Sequence, residues 1–134
     1  MSAAANITLP VTPELTRVAH ARLEAFAQAV SLPAKVMFAV DTALEELLQN
    51  VVDYSGAHVV RLNLAIEAGE LRLELADDGR PFNPLEVAGP DLSVPLAERE
   101  IGGLGVHLVR RMMDRAAYEH RGGGNRIQLG KVLA

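Results

Sequence analysis

The stretch from His58 to Asp78 limits the fold more than any other. "HVVRLNLAIE" and "ELRLELADD" alternate apolar and polar residues on either side of Ala68-Gly69. A period of two sends successive side chains to opposite faces of a strand, so both segments read as strands that bury one face only. Joined at Ala68-Gly69, they form a half-buried hairpin. Its dry face needs cover, and the sequence before it supplies that cover. Thr12 followed by Pro13 makes a good N-cap and first helical position. From there Leu15, Val18, Ala19, Leu23, Phe26 and Val30 keep to one face of a helix over residues 13–30. "SLP" punctuates it. A second helix is expected over 33–54, with Val36, Val40, Ala43, Leu44, Leu47 and Val51 in one apolar stripe, stopping at Ser55-Gly56.

The remaining segments extend the same plan. "NITLPV" reads as a short first strand. Residues 79–102 hold Pro81, Pro84, Gly89, Pro90 and Pro95 with little sustained period, a long excursion of the kind that is usually functional or mobile. "GGLGVHLVRRMMD" opens a helix on glycines, and "RAAYEHR", "GGG" and "NRIQLGKVL" close the chain as a second hairpin. The order predicts an α+β fold: a two-layer α/β sandwich, with helices on one face of a mixed, mainly antiparallel sheet, as one domain over residues 1–134. A chain of 134 residues is long enough to bury a real core.

Charge and composition exclude several classes. Thirteen Lys and Arg against 17 Asp and Glu leave a net charge of -4, and the cations are dispersed, which argues against nucleic acid or an anionic membrane as a direct partner. The absence of cysteine removes disulfides, thiolate chemistry and Cys-ligated metals. "MSAAANITLPVTPEL" has neither a basic n-region nor an apolar h-region, and no apolar run is long enough to cross a bilayer. A cytoplasmic protein is expected.

Three motifs carry chemistry. Glu46 and Asn50 sit four apart on the second helix, hence on one face, immediately beside the apolar stripe. An amide oxygen such as that of Asn50 is a neutral ligand for Mg²⁺, and a carboxylate one turn earlier can take a proton from a hydroxyl or water. Alone, the pair also reads as the wet edge of a buried helix. In "ADDGRPF", a strand-end carboxylate at Asp77 can accept hydrogen bonds from an exocyclic amine, while Gly79 lets the chain turn sharply and leaves space for a flat ring. Asp-Asp-Gly alone is equally an ordinary turn. Gly102-Gly103-Leu104-Gly105 presents backbone N–H groups at a helix start, where anions are favoured. It is not a Walker loop, since no Gly-Lys-Ser/Thr follows, and by itself it is also a flexible helix entry.

Taken in order, a Glu-x-x-x-Asn helix, a strand-end Asp-x-Gly, a long loop and a Gly-x-Gly helix resemble the N box and the two glycine boxes of the GHKL ATPases. That superfamily includes gyrase-type topoisomerases, histidine kinases and anti-sigma-factor serine kinases. "EELLQNVVDYSG", "DDGRPFNP" and "GGLGVHLVRRMMDRAAYEHRGGGNRIQL" look like the serine-kinase branch. The resemblance implies a Bergerat-type sandwich that binds ATP and Mg²⁺. It implies Glu46 as catalytic base, Asn50 as Mg²⁺ ligand, Asp77 at the adenine amino group and Gly79 beneath the ring. It places Gly103, Leu104, Gly105, Val106 and His107 at the phosphates, next to Gly102, with residues 88–101 as the lid. Tyr54 stands where relatives often have His, Pro81 replaces the second glycine of Asp-x-Gly-x-Gly, and Asn125 replaces a Thr that supports the Asp. No Arg directly precedes Gly102, so Arg99 is the candidate phosphate contact. The implied function is a protein-serine kinase in a partner-switching circuit. It phosphorylates an anti-sigma-factor antagonist and restrains a sigma factor or other regulatory target, with a homodimer through the first-strand edge. The alternatives are a nucleotide-gated binding module without transferase activity and an ATPase subunit of a larger signalling complex.

Overall fold

The computed structural model describes residues 3–86 and 109–134. Its elements are β1 (Ala3–Pro10), α1 (Leu15–Val30), α2 (Ala34–Asn50), a π-helical turn (Val51–Ser55), β2 (Val59–Glu67), β3 (Glu70–Asp77), β4 (Arg115–Arg121) and β5 (Gly124–Val132). A short 3-10 turn spans Pro84–Glu86, and residues 109–112 are helical. The strands form one sheet in the order β1-β2-β3-β5-β4. Every described pairing is antiparallel, so the parallel component expected of a mixed sheet is not found among these residues.

The β2–β3 hairpin turns at Ala68 and Gly69, whose φ angles of 52° and 72° place two consecutive residues in the left-handed region, as a tight hairpin turn needs. Alternation then sends Leu62, Leu64, Leu71, Leu73 and Leu75 to one face, where they are buried with Ile7, Leu9, Ile127 and Leu129. The helices cover that face with Leu15, Ala19, Leu23 and Phe26 of α1 and Val40, Leu44 and Leu47 of α2. Full burial of one such leucine contributes about 1.5–3 kcal/mol, so the dry face of the sheet is the main source of cohesion. Among the described residues no helix is long and apolar enough to cross a membrane.

Boundaries differ from expectation for identifiable reasons. β1 begins at Ala3 rather than Asn6, because Ala3, Ala4 and Ala5 pair with Ile66, Ala65 and Leu64. That pairing is imposed by the neighbouring strand rather than by alanine's own strand preference. α1 begins at Leu15, since Thr12 uses its Oγ1 to accept the Glu14 N–H at 3.1 Å in a turn that precedes the helix. It ends where Ser31 turns left-handed (φ 57°) and the Leu32 N–H reaches the Ala27 carbonyl at 2.9 Å. α2 gives way after Asn50 to the π turn, which Gly56 (φ 67°) terminates.

Candidate nucleotide site

Glu46 and Asn50 project from the same side of α2. Glu46 is half-buried; burial pushes its carboxyl above the usual carboxylate range, and the charges of Glu45 and Asp53 push it further. A base so placed is poised nearer neutrality. Asn50 is only 6% exposed, and its Nδ2 has no hydrogen-bond partner among the described residues. A buried N–H group left unpaired is costly, so a water or ligand oxygen is expected to meet it.

Opposite α2 lies the end of β3. Asp77 Oδ1 accepts the Gly79 N–H at 2.8 Å and Asn125 Nδ2 at 3.0 Å. Asn125 sits across from Asp77 in the β3–β5 register and is buried. Its Nδ2 also donates to the Arg80 carbonyl at 2.7 Å, while its Oδ1 accepts the Phe82 N–H at 2.9 Å and the Tyr118 hydroxyl. The amide therefore uses both donors and both lone pairs. It fixes Asp77 and the following turn together, with only one carboxylate oxygen of Asp77 engaged among the described residues. Asp78 faces elsewhere: it accepts the His58 and Val59 N–H groups at 2.7 and 3.1 Å. Those backbone bonds, Val59 first, hold its carboxyl below the usual range.

Gly79 serves a purpose the sequence did not disclose. Its φ is not in the left-handed region. A Cβ there would lie 2.4 Å from the Ser55 carbonyl oxygen and 2.7 Å from Ser55 Cβ. The missing side chain makes room for the end of the π turn, not for a strained bend. Arg80 completes the junction, its N–H donating to the Ser55 carbonyl at 2.9 Å and its Nε to the Tyr54 carbonyl at 2.8 Å. Tyr54, 49% exposed, stacks its ring on Phe82 with centroids 5.3 Å apart.

Leu47, Asn50, Asp77, Phe82, Asn125 and Ile127 enclose a cavity of about 10 Å³, enough for about one water. Asn50 and Asp77, 27 positions apart in the chain, thus line one space. No group of three or more His, Asp or Glu side chains among the described residues converges as a metal cage. The donor set fits a hard cation that shares Asn50 with ligand oxygens and waters. Phe82 and Tyr118 also belong to this site; the aromatic directly after Gly79-Arg80-Pro81 signals Phe82 in the sequence, whereas nothing there signals Tyr118. The glycine motif (Gly102, Gly103, Leu104, Gly105, Val106, His107), Arg99 and the expected lid at 88–101 lie outside the described residues.

The chain is 28% identical over 100 residues to the serine/threonine-protein kinase BtrW of Bordetella bronchiseptica, covering 72% of this chain and 70% of that protein. Its fold is similar to that of the RsbU and RsbW domains of Rv1364c from Mycobacterium tuberculosis. The TM-score is 0.68 at 20% identity, over 98% of this chain and 32% of that one. The chain thus spans about a third of that larger protein. The Acinetobacter baumannii histidine kinase AdeS is similar in fold as well, with a TM-score of 0.55 at 15% identity over 96% of this chain and 68% of that one. Residues 9–131 match the family described as histidine kinase-like ATPase domain, and the chain belongs to that family.

Proposed function

We propose that this chain is an ATP- and Mg²⁺-dependent protein-serine kinase, built as one domain, that phosphorylates a serine on an anti-sigma-factor antagonist protein. In its other state it restrains a sigma factor or similar regulatory target, working in the cytoplasm. The observation that supports the reading is the Asn50–Asp77 pair lining one small space: a buried Asn50 whose Nδ2 has no partner among the described residues, and a carboxylate with one oxygen unengaged among them. The half-buried Glu46 stands on the same helix face as Asn50. BtrW, named a serine/threonine-protein kinase, supports the same reading.

Each residue has a distinct task. Asp77 accepts the amino N–H of a purine, held in place by Asn125. Asn50 offers its amide oxygen to Mg²⁺. The bound Mg²⁺-ATP supplies the phosphoryl group and the offset of its charge. Glu46 would take the proton of the acceptor serine, and burial keeps this carboxylate basic enough to do so. Gly102, Gly103, Leu104, Gly105, Val106 and His107 complete the phosphate contacts in this scheme.

The small cavity favours one further element, nucleotide gating. Among the described residues this space, about 10 Å³, is smaller than a purine, so a ring entering it would have to widen it. A gated module in which ATP only orders the 88–101 lid, without transfer, is the second reading. Incubation with γ-labelled ATP and antagonist proteins from the same genome separates the two. Label on a serine, lost in Glu46→Gln, supports the kinase; tight ATP binding without transfer to any antagonist that binds supports the module. A homodimer through the β1 edge, blunted by Pro10, belongs to the same proposal, and sedimentation showing monomer at high concentration would refute it.

A further inference from the structure

The face of the sheet away from the helices carries an arrangement that the nucleotide site does not explain. The antiparallel register aligns Thr8, Arg61, Ala76, Arg126 and Glu119 in one row across the five strands. Arg61 and Arg126 therefore stand two strands apart, roughly 10 Å between backbones, with only the methyl group of Ala76 between them. Ala76 is buried although it belongs to the open face, as expected where two long stems lie over it. In the next row Glu74 occupies the corresponding place between Asn63 and Gln128 and bonds to both. The Arg61–Ala76–Arg126 row has no such carboxylate at its centre.

Around this slot the lining joins three arginines, two aspartates and the backbone of a glycine turn. Arg121 and the Gly122–Gly124 turn close one end, and the whole pocket encloses about 260 Å³. Arg126 makes a long contact with Glu74 at 3.7 Å, and Arg121 one with Glu119 at 3.5 Å; Arg61 has no ion pair among the described residues. Asp77 and Asp78 also border the pocket. The Asp77 carboxylate is bonded to Asn125 on the helix side, and Asp78 Oδ1 is held by two N–H groups. Arg61 thus stands unpaired among the described residues, beside two arginines held only by long carboxylate contacts, an arrangement that an added anion relieves.

We propose that this pocket, formed by Arg61, Arg121, Arg126 and the Gly122–Gly124 turn, binds a dianionic phosphate group. Planar guanidinium forks suit phosphate oxygens, and the pocket is large enough for a phosphate monoester. The site lies on the opposite face of the sheet from Glu46 and stands whether or not the chain transfers phosphate. It is nevertheless mechanically close to Asp77 and Asn125, which follow Ala76 and precede Arg126 on the paired strands.

The test uses the whole chain, labelled with ¹⁵N, titrated with inorganic phosphate against chloride at constant ionic strength and without nucleotide. Saturable amide shifts at residues 122–126 are expected. They should weaken at least tenfold in Arg61→Ala, an exposed substitution that spares the core. A parallel titration with N-acetyl-phosphoserine amide distinguishes the source. Binding of phosphoserine points to a phosphorylated side chain, and binding of phosphate alone points to the free anion; either supports the site. Shifts that rise linearly, persist unchanged in Arg61→Ala, or appear only around Asn50 and Asp77 would overturn it.

Discussion

Replacing Asn125 with alanine is the perturbation that probes most of this structure at once. The side chain makes four hydrogen bonds: to Asp77 Oδ1, to the Arg80 carbonyl, from the Phe82 N–H and from the Tyr118 hydroxyl. At about 0.5–1.5 kcal/mol net for each, their loss comes to roughly 2–6 kcal/mol. Water can enter the space vacated beside the existing cavity and replace some of these bonds, so the expected cost is about 3 kcal/mol. Urea unfolding with an unchanged slope would measure it. Tyr118→Phe removes one of the four bonds and should cost about 1 kcal/mol. Because Asn125→Ala has already removed that bond, the double variant should be less destabilised than the sum of the two singles by about 1 kcal/mol. A loss below about 1 kcal/mol for Asn125→Ala, or strict additivity with Tyr118→Phe, would refute the assignment of Asn125 as the group that holds the Asp77 turn.

Three further outcomes are expected. Gly79→Ala should destabilise by about 2–4 kcal/mol, from overpacking against the Ser55 carbonyl and weakening of the Arg80-to-Ser55 bond; a thermal melt matching that of the unsubstituted chain would contradict the close approach. Glu46→Gln should lower phosphoryl transfer by about 10²- to 10⁴-fold. It should leave stability at neutral pH unchanged or slightly higher, because a carboxyl raised by burial opposes folding once ionised. Transfer by the unsubstituted chain should fall with acid at a pH above the usual carboxylate range, and a profile flat down to pH 4 would exclude Glu46 as the base. His20 is raised by its hydrogen bond to Asp41 at 2.7 Å and by the charges of Asp41, Glu24 and Glu45. Its contribution is therefore full below about pH 6.5 and is lost as pH rises through the higher folded value. Being half-exposed, it is worth only about 0.2–1 kcal/mol, so the gap between the unsubstituted chain and His20→Gln should close on going from pH 6 to pH 9 in urea titrations.

Local chemistry made much of the fold legible. Strict alternation around Ala68-Gly69 announced a hairpin, and the stripe from Val36 to Val51 announced a buried helix, because both patterns depend only on the geometry of neighbouring residues. Glu46 and Asn50 were visible for the same reason. What escaped were consequences of contact across long separations. The reach of β1 back to Ala3 depends on β2. The need for glycine at position 79 arises from Ser55, 24 residues earlier. The π turn after Asn50 has no periodic signature, since a single widened turn does not disturb the apolar stripe enough to register. Tyr118 gave no hint because its partner Asn125 is buried only once β4 and β5 have paired.

The strand order has a kinetic consequence. β2–β3 and β4–β5 join segments that are near in sequence, but β1 must find β2 and β5 must find β3 across long separations, Pro10 pairing with Val59 and Asp77 with Asn125 at the nearest ends. Loop-closure entropy rises only with the logarithm of length, about 0.6 kcal/mol for each doubling, so the connection that leaves Asp77 and returns at Arg115 can lengthen or shorten between relatives at little thermodynamic cost. The docking of β5 on β3 is, with that of β1 on β2, a non-local step expected to come late in folding. Asp77 and Asn125 face each other at the end of the β3–β5 register. The Asp77–Asn125 corner is then among the last parts to form, and a nucleotide bound there, as proposed, should slow unfolding more than it speeds folding.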